Sequence, residues 1–185
     1  MHKTMVMIAA LVVATAAVAA EVGGVKLDDK VSVGGQELML NGAGIRTRAV
    51  FKVYVGSLYL PAKAGSLDGV LAKGPRRIQL NLLRSLSGDQ LADAVTDGMK
   101  DNNTPAEVDA VKGETGQFIG IAKAFGDLKE GNVVTLDFVD GATKIGFDGA
   151  AKGSIPGDAF NRALTKIWLG SKPVQDDLKK AMLGG

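Results

Sequence analysis

The run AVFKVYVGSLYLP, residues 49–61, constrains the fold of this chain more than any other stretch. It is rich in β-branched and aromatic residues and ends at Pro61, which cannot donate to a sheet ladder. Side chains alternate across a strand, so Phe51, Val53, Val55 and Tyr59 share one face while Tyr54, Leu58 and Leu60 share the other. Both faces are largely apolar, which predicts a central strand covered on both sides.

The rest of the chain supplies partners for such a strand. EVGGVKLDDKVSVGGQELMLNG, residues 21–42, reads as short strands broken by Gly-Gly and Asp-Asp turns, followed by a small-residue turn around Gly42-Ala43-Gly44. SLDGVLAK (66–73) is a short helix capped by Ser66, and RRIQLNLLR (76–84) is a second long strand. Over residues 86–103, Ser87 and Gln90 have capping-box spacing, and Leu91, Val95 and Met99 form an apolar helical stripe. Thr104-Pro105 opens another helix toward Phe125, with Val108, Val111, Phe118 and Ala122 inward, weakened or broken by Gly113, Gly116 and Gly120. Asp-Gly pairs at 140–141 and 148–149 separate alternating runs and predict a three-stranded meander. A helix over 156–170 turns Phe160, Leu164, Ile167 and Trp168 inward, and a short last helix is stopped by glycines. The order implies an α+β domain, an antiparallel sheet backed by helices.

The first twenty residues read differently. Lys3, an apolar run from Met5 to Val13 and the small-residue pattern at Ala17-Val18-Ala19-Ala20 match a cleaved secretory signal, ending after Ala19 or Ala20. The run is too short and alanine-rich to span a bilayer of roughly 30 Å stably. The expected organisation is a signal peptide over 1–20 and one domain over 21–185, with a periplasmic or secreted location and no stable membrane span after cleavage. Lys plus Arg is 22, or 21 without Lys3, against 20 Asp plus Glu, and there is no basic tract; a nucleic-acid surface is not expected. The only histidine is His2 and there is no cysteine, so removing the signal leaves a chain without either residue. That excludes Ser-His-Asp triads, thiol nucleophiles and ordinary zinc sites, and no metal or other cofactor is expected. Any catalysis would fall to carboxylates, Lys, Tyr or Arg.

Several of these stretches resemble those of a known family. LNGAGIRTRAVFKVYVGSLYLP (40–61) resembles the Gly-Ala-Gly-x-Arg turn and long Phe-Lys strand of chalcone isomerase and its relatives. LSGDQLADAVTDGM (86–99) looks like the helix after that family's next long strand, and the ending from Gly153, with Ile167-Trp168-Leu169-Gly170, is similar to the bacterial chalcone isomerase-like branch. The resemblance spans about residues 25–184 and implies an open-faced β-sandwich, a large antiparallel sheet with helices packed on one side. In the plant enzyme the turn arginine holds a phenolate; the matching residue here is Arg46. The enzyme's other polar positions correspond to Val53, Leu91, Gly98 and Ile167, which supply no donors for charge developing on an enone. No catalytic residue is therefore assigned, and the enzyme reading is left open but not favoured.

Non-catalytic plant members of the family bind fatty acids, although they keep the helix tyrosine that Leu91 replaces. The expected function is a periplasmic binder of a small amphipathic carboxylate, with Arg46 on the headgroup and Val53, Leu91, Gly98 and Ile167 as candidate pocket lining. A guanidinium grips a carboxylate bidentately and stays charged. Two alternatives stand beside it. One is an isomerase or lyase using Arg46 with Tyr54 or Lys52 as acid–base. The other is a structural or partner-binding module in which Arg46 pairs with an internal acid such as Asp137 or Asp148. Arg48, Arg76 and Arg77 read as solvated, Trp168 as core, and the Asp89, Asp93, Asp97 stripe as a solvated helix face.

Overall fold

The computed structural model describes residues 20–72 and 74–185. The signal expected over 1–20 lies outside the described residues except for Ala20, which begins a small hairpin of β1 (Ala20–Val22) and β2 (Val25–Leu27). The main sheet holds seven antiparallel strands: β3 (Lys30–Val33), β4 (Gln36–Arg48), β5 (Phe51–Leu60), β6 (Arg76–Leu82), β9 (Val133–Val139), β10 (Ala142–Phe147) and β11 (Ala150–Pro156), in the spatial order β11-β10-β9-β6-β5-β4-β3. A minor pair, β7 (Leu86–Ser87) with β8 (Asp127–Leu128), ties the start and end of the helical segment together.

The long apolar strand is β5, and it is interior, with β4 on one side and β6 on the other. Its two faces meet different covers. Leu58 and Leu60 join Ile78, Leu80, Leu136 and Phe138 beneath the helices. Tyr59 lies on the opposite face in a small cluster with Val33 and Leu38, where the β3–β4 hairpin folds over. That hairpin comes so close that a Cβ on Gly34 would stand 2.5 Å from a Val139 methyl of β9.

The helices are α1 (Leu67–Val70), α2 (Gly88–Asn102), α3 (Pro105–Ala110), α4 (Lys112–Ala124), α5 (Asp158–Leu169) and α6 (Asp176–Met182). Helices α2, α4, α5 and α6 contribute to one core with the sheet, built on Leu91, Val95, Met99, Phe118, Phe160, Leu164, Ile167 and Trp168. The capping box at Ser87 and Gln90 is formed, and a second one joins Thr104 and Glu107. The helix expected from Thr104 to Phe125 breaks at Val111, whose φ of −115° separates α3 from α4. The meander of β9, β10 and β11 turns at Asp140-Gly141 and Asp148-Gly149, all four residues at positive φ, as tight hairpins of matching twist require.

Two expectations are corrected. Gly42-Ala43-Gly44 is not a turn; it lies inside the 13-residue strand β4, and the chain reverses at Ala49-Val50, with Ala49 at φ 54°. The glycines are small because α6 rests on them. A Cβ on Gly42 would come 2.0 Å from the Ala181 carbonyl oxygen, and one on Gly44 would come 2.8 Å from the Ala181 Cβ. The second correction concerns Arg76 and Arg77. Arg76 is only 6% exposed; it reaches Thr165 Oγ1 at 3.3 Å and Asn161 Oδ1 at 3.3 Å and stacks 4.5 Å from the centre of the Phe138 ring. Arg77 is half-buried in a fork onto Asp137, at 2.6 and 2.7 Å.

Candidate functional site

Gly42, Gly44 and Arg46 alternate along one face of β4, so all three look toward the helices. Helix α6 covers the glycines and begins beside Arg46, because Gln175 immediately precedes it. The Gln175 side chain joins the two elements. Its Oε1 accepts from the Thr47 backbone N–H at 2.8 Å and from Arg46 Nη1 at 3.3 Å, while its Nε2 donates to the Ile45 carbonyl at 3.2 Å. Arg46 Nη1 also donates to the Thr47 carbonyl.

Neither acid expected to pair with Arg46 does so. Asp137 is held by Arg77, and Asp148 accepts from Asn132 Nδ2 at 2.8 Å and the Val133 N–H at 2.7 Å. Among the described residues, Arg46 takes part in no ion pair. Its charge rests against neutral oxygens only.

Arg46 borders a cleft of about 730 Å³ at the end of the sheet. The β4–β5 hairpin contributes Arg48, Phe51, Val53 and Tyr54 to its lining, the segment after β6 contributes Arg84 and Leu86, and α2 contributes Asp93, Ala94 and Asp97. Tyr54 is the cross-strand partner of Arg46, and the two side chains occupy the same sheet face. The Tyr54 hydroxyl accepts from the Trp168 indole N–H at 3.0 Å, so its own proton remains a donor. Burial pushes this phenol up to about 12, against a smaller downward pull from the Trp168 hydrogen bond and the Arg46 charge. It therefore stays protonated at neutral pH, with its O–H proton left to donate.

The candidate lining residues divide. Val53 borders the cleft with Arg46. Leu91 is buried in the core between helix and sheet. Gly98 and Ile167 meet each other: a Cβ on Gly98 would fall 2.8 Å from an Ile167 methyl, so α2 and α5 close on one another there. The cleft is therefore a groove along the sheet end, and the space between those helices is filled. Lys52 is exposed on the hairpin. Asp93 and Asp97 line the same groove as Arg46, Arg48 and Arg84, whereas Asp89 pairs with Lys123 at 3.3 Å on the surface. Among the described residues, no three carboxylate or histidine groups stand close enough to hold a metal.

Sequence reasoning did not find Gln175, and no local signal marks it; a glutamine before a helix is unremarkable until its strand partner is known. It placed Trp168 in the core, where it is, but not its hydrogen bond to Tyr54.

The comparisons with known proteins agree with this architecture. A family model described as chalcone isomerase-like matches residues 19–184. Among solved structures, a fatty-acid binding protein of Arabidopsis thaliana superposes with a TM-score of 0.68 at 14% identity, over 86% of this chain and 92% of that one. At that identity the likeness establishes the fold. No curated protein matches the sequence.

Proposed function

This chain belongs to the chalcone isomerase-like family, and from that premise we propose that it binds a small amphipathic carboxylate, such as a fatty acid, without catalysing a reaction. The observation that carries this reading is the half-buried Arg46 guanidinium, bordering the cleft and hydrogen-bonded only to neutral oxygens. A charge so placed favours an anionic partner, and a carboxylate suits its planar fork. The Tyr54 O–H supplies a second donor from the neighbouring strand, a counterpart to the helix hydroxyl that Leu91 replaces. Val53, Leu86 and Ala94 offer apolar wall to a tail, at about 0.8 kcal/mol per methylene removed from water. Because Gly98 and Ile167 close the space between α2 and α5, the tail lies along the groove. The fatty-acid binding protein of the same fold supports the ligand class. Export to the periplasm, after loss of residues 1–20, completes the reading.

Native mass spectrometry of the protein purified from its cells, with released small molecules identified, tests this. A carboxylate should accompany the native protein and be absent from Arg46→Ala, with both melting alike. An empty native protein and an Arg46→Ala variant of much lower melting temperature would make the arginine a strut between β4 and α6. Cell fractionation with detection of the processed N-terminus tests the location.

A further inference from the structure

Only three large apolar side chains stand well exposed among the described residues: Met39 at 37%, Phe51 at 57% and Val50 at 85%. Two of them are adjacent, at the tip of the β4–β5 hairpin that walls the cleft. Water is a poor solvent for such a pair, and scattered single exposures are commoner than a pair on a projecting turn. The residues around the tip are basic. Arg48 and Lys52 flank it on the two strands, both exposed, and the Arg84 guanidinium lies 4.7 Å from the centre of the Phe51 ring. None of these three cations belongs to an ion pair among the described residues. The acids that line the cleft, Asp93 and Asp97, belong to α2 and not to the hairpin.

We propose that this hairpin tip docks on an anionic phospholipid bilayer, with Val50 and Phe51 entering the interface and Arg48, Lys52 and Arg84 meeting the phosphates. Apolar side chains ringed by Lys and Arg are the chemistry of an interfacial anchor. Each cation near an anionic surface strengthens binding about five-fold, and salt reverses the gain. Docked in this way, the cleft opens at the bilayer surface, where an amphipathic carboxylate resides. The inference rests on the proposed ligand reading for its purpose but not for its test.

The test is sedimentation of the full mature chain with vesicles of phosphatidylcholine alone or phosphatidylcholine with phosphatidylglycerol. The expected result is at least tenfold tighter binding to the phosphatidylglycerol vesicles, weakened by salt. Lys52→Gln should bind about five-fold more weakly. Val50→Asp should lose binding while keeping the co-purifying ligand, since Val50 does not border the cleft. Arg46→Ala should lose the ligand yet still bind vesicles, so the two readings fail separately. Equal binding to both vesicle types, or none, overturns the proposal. So does a lipid-free dimer abolished by Val50→Asp, which would assign the tip to a second copy of the chain.

Discussion

The Trp168 indole N–H donates to the Tyr54 hydroxyl at 3.0 Å, joining the last turn of α5 to the strand that carries the cleft. The bond spans 114 residues of chain and orients the phenol beside Arg46. Tyr54→Phe leaves the indole N–H without its acceptor, and we expect a loss of about 1–3 kcal/mol in denaturant unfolding. The pH dependence has a definite sign. The folded phenol ionises near 12 and the unfolded one near 10.0, so above pH 10.0 the unfolded state releases its proton first. Tyr54 therefore contributes stability in full below pH 10.0 and loses it as pH rises toward 12. Unfolding followed through that window should fall less steeply in Tyr54→Phe. Tyr59, also raised by burial, maintains part of the slope in both proteins.

Glycine substitutions should separate packing from chain entropy. Gly44→Ala sets a methyl 2.8 Å from the Ala181 Cβ and lifts α6 from the sheet, at a cost of about 1–3 kcal/mol. Gly116 lies in α4 with nothing within 4 Å of a Cβ, so Gly116→Ala should stabilise by about 0.5–1 kcal/mol. Thermal melts of the two variants should shift in opposite directions. A Gly44→Ala protein as stable as the native one would mean that α6 is not held against β4.

Arg77 and Asp137 form a two-bond fork across β6 and β9, each side chain 18% exposed. Removing one partner strands the other in a half-buried place. Asp137→Ala should cost about 1–3 kcal/mol, less than a fully buried pair because water still reaches it. The double variant Arg77→Ala with Asp137→Ala should cost less than the sum of the single changes, measured by a urea double-mutant cycle. Additive losses would show that the two residues act separately.

Glu107 closes the capping box of α3 and also accepts from Lys166 of α5 at 2.9 Å. The Lys166 hydrogen bond, followed by those of Thr104, holds the carboxylate down to about 2 from 4.5. Its contribution to stability is complete above pH 4.5 and is lost as pH falls toward 2. Glu107→Gln should flatten acid unfolding over that interval. The difference should shrink in high salt, because the side chain is exposed.

Much of this architecture was legible because it is written locally. The two-faced apolar run became an interior strand, the Asp-Gly pairs became the meander turns, and Ser87 with Gln90 became a helix cap. Each signal acts within a few residues, where backbone stereochemistry and periodicity are decisive. The glycines of β4 were read by their usual local use, chain reversal, when their cause is α6, which arrives near the end of the chain.

The sequence by itself determined most element types, though not the strand that runs through Gly42-Ala43-Gly44, together with the antiparallel sheet with helices on one side, the lack of cysteine and of any histidine beyond His2, and the presence of Arg46 beside a long strand. Only the tertiary structure decided where each charge finds its partner. Asp137 goes to Arg77, Arg76 is buried against Phe138 and α5, and Arg46 meets Gln175 from across the chain. Gly98 against Ile167 likewise decided that the space between α2 and α5 is filled and that the groove runs along the sheet end. Periodicity assigns a side chain to a face; its neighbour on that face depends on how distant elements cross, and no local pattern carries that.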